Sequence, residues 1–320
     1  MRQKNFAIVG VGGFVAPRHL KAISATGNRI VAATDPNDSV GVLDQFSFDI
    51  DYFVEIERFD RHLEMLRRRN SPRKIDYLTV CSPNYLHDAH CRLGLRAEAD
   101  VICEKPLVIN PWNLDLLAEV ERESGKRIHS ILQLRLHPKL IELRNELQRV
   151  ESKTKHLVDL TYITGRGHWY DYSWKGQHEK SGGVATNIGI HFFDLLIWLF
   201  GGVQSYKVYY GDAHSISGSL ELRSAVVRWF LSVDAQHLPQ SAKSGMTTFR
   251  SIALDGKEVE FSDGFVDLHT RVYEELLAGR GFAIEDARPS IELVHSIRHA
   301  RPSPLDDAAH PSVVKMQGKL

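Results

Sequence analysis

The first 135 residues alternate short, almost wholly apolar runs with longer stretches whose apolar positions recur at helical spacing. The runs Phe6–Val9, Arg29–Thr34, Tyr77–Val80, Val101–Cys103 and Ile128–Leu132 predict strands. Between them, Ala16–Ala25, Arg58–Arg69, Asp88–Arg96 and Pro111–Ser124 predict helices. Asn110-Pro111 supplies an N-cap followed by proline at the first helical position. Near-continuous apolar strands separated by helices predict an α/β doubly wound, Rossmann-type parallel sheet covered on both faces.

The texture changes after a further helix at Pro138–Val150. Lys155–Thr164 alternates as a strand, and residues 165–183 form a polar, aromatic and glycine-rich loop. An apolar helix follows at Ile190–Phe200, ended by Gly201-Gly202. Strands are then expected at Ser205–Tyr210, Ser219–Arg223, Ala225–Ser232, Phe249–Leu254 and Lys257–Phe261, the last two joined by an Asp255-Gly256 hairpin turn. Helices return at Asp267–Ala278 and Ser290–Arg298, and Arg301–Leu320 reads as a loose tail or packing arm. The division expected is residues 1–135 as a nucleotide-binding domain and 136–320 as an α+β domain with an open, mainly antiparallel sheet.

Composition narrows the function. The chain has 320 residues, with 40 Lys+Arg balanced by 40 Asp+Glu. Such neutrality provides no global field for nucleic acid or an anionic membrane. At 43% hydrophobic and 25% charged the chain is globular rather than disordered. Its longest apolar run, Phe192–Phe200, is interrupted by Asp194 and is far short of the roughly 20 residues of a membrane span. The N-terminal residues lead into a strand rather than a signal-peptide core, and three cysteines make no disulfide framework, so a cytoplasmic location is expected.

Gly10-Val11-Gly12-Gly13-Phe14-Val15 directly follows the first strand and precedes a helix. Glycine lets the backbone turn sharply and approach a pyrophosphate, which the helix N-terminal amides then bind. Gly10 and Gly12 match the dinucleotide fingerprint, whereas Val15 stands where a third glycine is usual. Asp35 ends the second strand, where a carboxylate can bind ribose hydroxyls. No Lys or Arg occurs from Pro36 through Glu57, so a 2′-phosphate would find no local cation. NAD rather than NADP is the expected cofactor.

Three further segments carry a family resemblance. Cys81-Ser82-Pro83-Asn84-Tyr85-Leu86-His87 and Cys103-Glu104-Lys105-Pro106-Leu107 both follow predicted parallel strands, and Gly182-Gly183 leads through Asn187 and Gly189 to His191 and Asp194. Together they resemble the glucose–fructose oxidoreductase and inositol dehydrogenase family over nearly the whole chain. Ala16-Pro17-Arg18-His19, Phe59-Asp60-Arg61-His62, residues 132–138 and Trp174-Lys175-Gly176 look like its bacterial UDP-N-acetylglucosaminuronate 3-dehydrogenase branch. Those enzymes make a 3-keto nucleotide sugar on the route to lipopolysaccharide.

The resemblance implies an NAD-dependent oxidoreductase in which Lys105 lies beside nicotinamide and substrate, with His191 the base candidate. Gly10, Gly12, Gly13, Phe14, Val15, Asp35, Ser82, Pro83, Asn84, His87, Glu104, Lys105 and Gln133 are its expected cofactor residues. Substrate contacts are expected from Lys105, Arg135, Arg166, Tyr170, Lys175, Asn187 and His191. Arg166 and Lys175 would answer the diphosphate and carboxylate of a UDP-linked uronic acid, and aromatic rings its flat faces. Many relatives have an aspartate where this chain has Asn187. An amide cannot take a proton, so the proton chemistry is expected to fall on Lys105 and His191.

The resemblance also implies a homotetramer and recycling of NAD by 2-oxoglutarate. His87 with Cys91, and His191 with Asp194, stand at helical spacing but lack a third ligand, so no metal is expected. Two other readings stay open at this point: a cyclitol or simple-sugar dehydrogenase, and an NAD-binding regulator without turnover.

Overall fold

The computed structural model describes residues 2–149, 154–239, 246–261 and 267–317. Val150, at the end of one expected helix, and residues 318–320 of the expected tail lie outside these. The chain divides into two compact units, Met1–His137 with Gly264–Arg288, and Pro138–Asp263 with Pro289–Leu320.

The first unit is built on six strands: β1 Asn5–Val9, β2 Arg29–Thr34, β3 Asp51–Phe53, β4 Tyr77–Val80, β5 Asp100–Cys103 and β6 Ile128–Ser130. Their order is β3-β2-β1-β4-β5-β6, and every pairing is parallel. The expected doubly wound sheet is therefore present, with its strand order reversing between β1 and β4. Such a switch point opens a crevice at the carboxyl ends of the strands. β1 is buried at all five positions, as a central strand covered on both faces requires.

Two features escaped the hydrophobic pattern. β3 is a half-buried edge strand of three residues, too short to show periodicity. The expected strand to Leu132 ends at Ser130, and Gln133–Leu136 turns into a 3₁₀ helix. A single cut at residue 135 also misses a return of the chain. Val272, Tyr273 and Leu276, on the helix Leu268–Leu277, join Phe6, Ile8, Leu20 and Ile23 in one core. Tyr273 is wholly buried, with its ring 5.9 Å from that of Phe6.

The second unit carries β7 His156–Thr164, β8 Val203–Gly211, β9 Ser215–Leu222, β10 Ala225–Ser232, β11 Thr248–Leu254 and β12 Lys257–Glu258. Their order is β12-β11-β7-β10-β9-β8. All pairings are antiparallel except the central one, β7 with β10. The Asp255-Gly256 turn joins β11 to β12 with φ of +49° and +79°, a type I′ signature.

The helix Ile190–Phe200 buries Phe193 against Trp229 of β10, ring centroids 5.2 Å apart and edge-on. The stretch His178–Phe200 is long and apolar enough to cross a membrane, but 72% of its apolar window is buried, as in a core helix. The C-terminal stretch is a packing arm. Ser303 N–H donates to Val208 O at 2.7 Å, Lys207 pairs with Asp306 at 2.7 Å, and Val313 of the helix Pro311–Gln317 is buried beside Tyr209.

Trp229→Ala removes the largest fully buried side chain of this core. It should lower unfolding stability by about 3–5 kcal/mol in urea titration.

Candidate active site

The glycine turn at the end of β1 is shaped by close backbone approach. Gly10 has φ +82°, and a Cβ there would lie 2.6 Å from the Cys81 carbonyl carbon. Neither strain nor space permits a side chain. Gly10 N–H donates to Thr34 O at 2.9 Å and Gly13 N–H to Gly10 O at 3.0 Å, closing the turn.

The following helix, Ala16–Ala25, has Val15 at its N-cap, no side-chain cap and no acidic residue in its first turn. Ala16 N–H donates to Gly13 O at 3.2 Å and Arg18 N–H to Val15 O at 3.0 Å, and Pro17 has no N–H, so the first three helical positions keep no free amide and a phosphate would be met by the glycine turn itself. Val15, in place of the usual third glycine, packs part-buried against the core. Phe14 is 84% exposed.

Asp35 is 9% exposed and does more than wait for a ribose. Its Oδ2 accepts from Gly12 N–H and its Oδ1 from Asn37 N–H, each at 2.9 Å. An ionised carboxylate has about four acceptor sites, so two remain for hydroxyl donors.

After β4, Ser82 Oγ hydrogen-bonds His90 Nδ1 at 2.8 Å; burial lowers the pKa of His90 to about 4. Asn84 is buried, and Pro83 precedes it in an extended conformation. His87 departs from its expected place at the cofactor. It is 1% exposed, with Nδ1 2.7 Å from Pro106 O and Nε2 2.8 Å from Ser82 O. Burial lowers its pKa against the pull of these carbonyls. A neutral imidazole carries one N–H, so His87 donates to one of these two carbonyls while its other nitrogen lies against the second, between the loop after β4 and the loop after β5.

Arg135 also departs from expectation. Its guanidinium donates to the Asp286 carboxylate at 3.2 Å and to Asp286 O at 2.8 Å. With its charge answered inside its own unit, it is not a waiting anion ligand. Gln133 is the reverse case: its Oε1 is buried and, among the described residues, has no hydrogen-bond partner.

The loop after β5 rests on a network that local sequence does not show. Glu104 Oε1 lies 2.9 Å from His19 Nε2 and 3.0 Å from His269 Nε2. His19 Nδ1 lies 2.9 Å from Tyr273 Oη, which is 3.0 Å from Thr79 Oγ1. Glu104 Oε2 accepts from Lys105 N–H at 3.2 Å. The three side chains form a metal-type donor set. Their spacings, however, are those of N–H···O bonds.

Burial keeps the His19 pKa low, so its ring is neutral, donating from Nε2 and accepting the Tyr273 hydroxyl at Nδ1. Burial also pushes the Glu104 carboxyl up, but the imidazole donors outweigh it and hold it well below the usual range. The result is a buried, ionised carboxylate directly before Lys105.

In the second unit, Arg166, Lys175, Trp169 and Trp174 cluster on the loop expected to meet the substrate. Lys175 Nζ lies 5.5 Å from the Trp169 ring centre and 5.8 Å from that of Trp174; Arg166 Cζ lies 6.0 Å from Trp169. Burial and the Arg166 charge lower the Lys175 pKa. Among the described residues neither cation forms a salt bridge, so this loop holds uncompensated positive charge.

Tyr170, an expected substrate contact, is held by protein groups. It is 3% exposed and hydrogen-bonds Asn187. Asn187 belongs to a π-helical turn, Ala185–Gly189, leading into the helix that carries half-buried His191 and buried Asp194. Such turns are frequent at functional sites. Gly189 lets this turn pack closely, since a Cβ there would lie 2.6 Å from Leu231 Cδ1 and 2.9 Å from Phe193 Cε2.

Residues 4–131 match the oxidoreductase family's NAD-binding Rossmann fold, and residues 155–235 match its C-terminal alpha/beta domain. The WlbA (WbpB) dehydrogenase from Thermus thermophilus, solved with NAD and alpha-ketoglutarate, is 46% identical over 97% of this chain and 99% of that one, with a TM-score of 0.92. The chain belongs to the Gfo/Idh/MocA oxidoreductase family. The same Thermus enzyme solved with NAD and UDP-GlcNAcA gives 45% identity and the same TM-score.

Among curated relatives in this family, a putative UDP-kanosamine synthase oxidoreductase subunit from Amycolatopsis mediterranei is 32% identical over 40% of this chain and 36% of its own length. A 2,7-anhydro-N-acetylneuraminate hydratase from Mediterraneibacter gnavus is 26% identical over 63% of this chain. The chain spans 36% and 51% of these two relatives.

The first unit fits the family's NAD. Gly10 and Gly12 leave the turn open to a pyrophosphate, Asp35 retains acceptor sites, and Gln133 Oε1, among the described residues, lacks a donor. An unsatisfied buried acceptor costs about 1–3 kcal/mol, which a ligand donor would relieve.

Gly10→Ala should weaken NAD binding at least about tenfold, because the strain of roughly 1–3 kcal/mol distorts the turn itself. Asp35→Ala should lose about tenfold in NAD affinity, near 1.4 kcal/mol, and narrow the preference over NADP. Fluorescence titration with both dinucleotides measures each.

Proposed function

We propose that this protein oxidises the C3 hydroxyl of UDP-N-acetylglucosaminuronic acid to the 3-keto sugar, with NAD as hydride acceptor. The observation that carries this reading is the 46% identity, spread over 97% of the chain, to a dehydrogenase whose structures hold NAD and UDP-GlcNAcA. Arg166 and Lys175, cations without a carboxylate beside two indole rings, suit an anionic ligand with a flat base. Bound NAD supplies the site that receives the C3 hydride.

The chain's own residues then have two tasks: removing the hydroxyl proton and stabilising the developing alkoxide. His191 accepts the proton, and the Lys105 ammonium donates to the oxygen that becomes the ketone. Asn187, an amide bonded to Tyr170, orients its neighbours without exchanging a proton. Glu104 and His87 hold the Lys105 loop, and Ser82, Pro83, Asn84 and Gln133 complete the cofactor side.

The same reading makes the protein a cytoplasmic homotetramer serving lipopolysaccharide and O-antigen sugar synthesis. It also has 2-oxoglutarate reoxidise the reduced cofactor.

Mixing the protein with NAD and the UDP-uronate should raise the reduced-nicotinamide absorbance, and myo-inositol should not. Adding 2-oxoglutarate should reverse the rise. Lys105→Ala and His191→Asn should each lower kcat by about 10²–10⁴-fold with circular dichroism unchanged. Near-wild-type turnover in both variants overturns the assignment.

A further inference from the structure

The helix Leu268–Leu277 is far from Lys105 in sequence, yet it belongs to the same compact unit and sends one side chain to the carboxylate that precedes that lysine and another to the carboxylate's second donor. His269 donates directly to Glu104, and Tyr273 fixes His19, the second donor. Thr79 and Tyr273 hydroxyls lead to His19 Nδ1, His19 Nε2–H and His269 Nε2–H lead to Glu104 Oε1, and Oε2 is left for Lys105 N–H.

A buried carboxylate supplied in this way stays ionised, and its geometry is set by three elements at once. A neutral packing side chain could fill the same space without any of these bonds.

We propose that His19, His269 and Tyr273 are positioning residues. Through Glu104 they fix the Lys105 backbone and hold a negative charge behind the lysine, so that its ε-ammonium stays charged while it meets the substrate oxygen. This rests on the role given to Lys105 above. The groups facing Glu104 are His19 from the first helix, His269 and Tyr273 from the returning helix, Cys81 and Cys103 at the ends of β4 and β5, and His87.

The test needs no sugar, so it separates this inference from the choice of substrate. NMR of NAD-bound protein labelled at lysine Cε, with Lys105→Arg assigning the resonance, reads the Lys105 titration midpoint. Loss of the negative charge in Glu104→Gln removes a favourable partner of the ammonium. The midpoint should fall by about one unit or more, and Glu104→Asp should restore part of it.

Amide exchange of the Lys105 N–H is the second readout. Protection should drop at least tenfold in His269→Leu and recover in His269→Gln, which keeps a side-chain N–H. If Glu104→Gln does not fold, the His269 pair decides the matter. Unchanged midpoint and protection in variants with wild-type Tm overturn the proposal. Turnover with the UDP-uronate, measured separately on the wild type, tests the reaction itself.

Discussion

Burying an ionised carboxylate is among the costliest things a fold can do, and unit one does it at Glu104. The charge is tolerable only while donors surround it. Those donors come from the helix after β1 and from a helix more than 160 residues downstream, so the chain must return to the nucleotide-binding unit to complete it. The core reflects the same demand. Tyr273 packs its ring near Phe6 of β1 while its hydroxyl closes the polar chain at His19. Apolar burial and hydrogen bonding therefore select one docking of that helix, and the loop carrying Lys105 is held as a consequence.

A neutral protein that handles anions must place its charge locally. At the glycine turn the backbone is left bare for a pyrophosphate to approach, and Asp35 sits against Gly12 with acceptor sites to spare. In the second unit Arg166 and Lys175 sit beside indole rings without a carboxylate partner. Several cations elsewhere are paired, Arg135 with Asp286, Arg228 with Asp159 and Lys207 with Asp306. Paired surface charges contribute little field, so the unpaired ones stand out.

Most strands and helices were legible because their periodicities are strong. Ala16–Ala25, Ala225–Ser232 and Ile190–Phe200 were read to their ends. β3 was not, since three half-buried residues carry no period. The glycine turn and the place of Asp35 beside it are legible from local patterns, and Lys105 is expected at the site from family likeness. His87, Arg135 and Tyr170 were placed at the ligand because their chemistry suits one. In the fold that chemistry is consumed by Pro106 and Ser82 carbonyls, by Asp286 and by Asn187.

By itself the sequence determined what is local: alternation of apolar strands and helices, glycines where a Cβ would strike backbone, a hairpin at Asp255-Gly256, a loop bearing Lys105 and an apolar helix bearing His191. Tertiary structure decided which polar groups were already satisfied and which kept capacity for a ligand. Hydrogen bonding between residues 85 to 254 positions apart, as in the His19, Glu104, His269 and Tyr273 set, leaves no spacing to read. Only folding brings their donors and acceptors within reach, and only then does burial set their protonation.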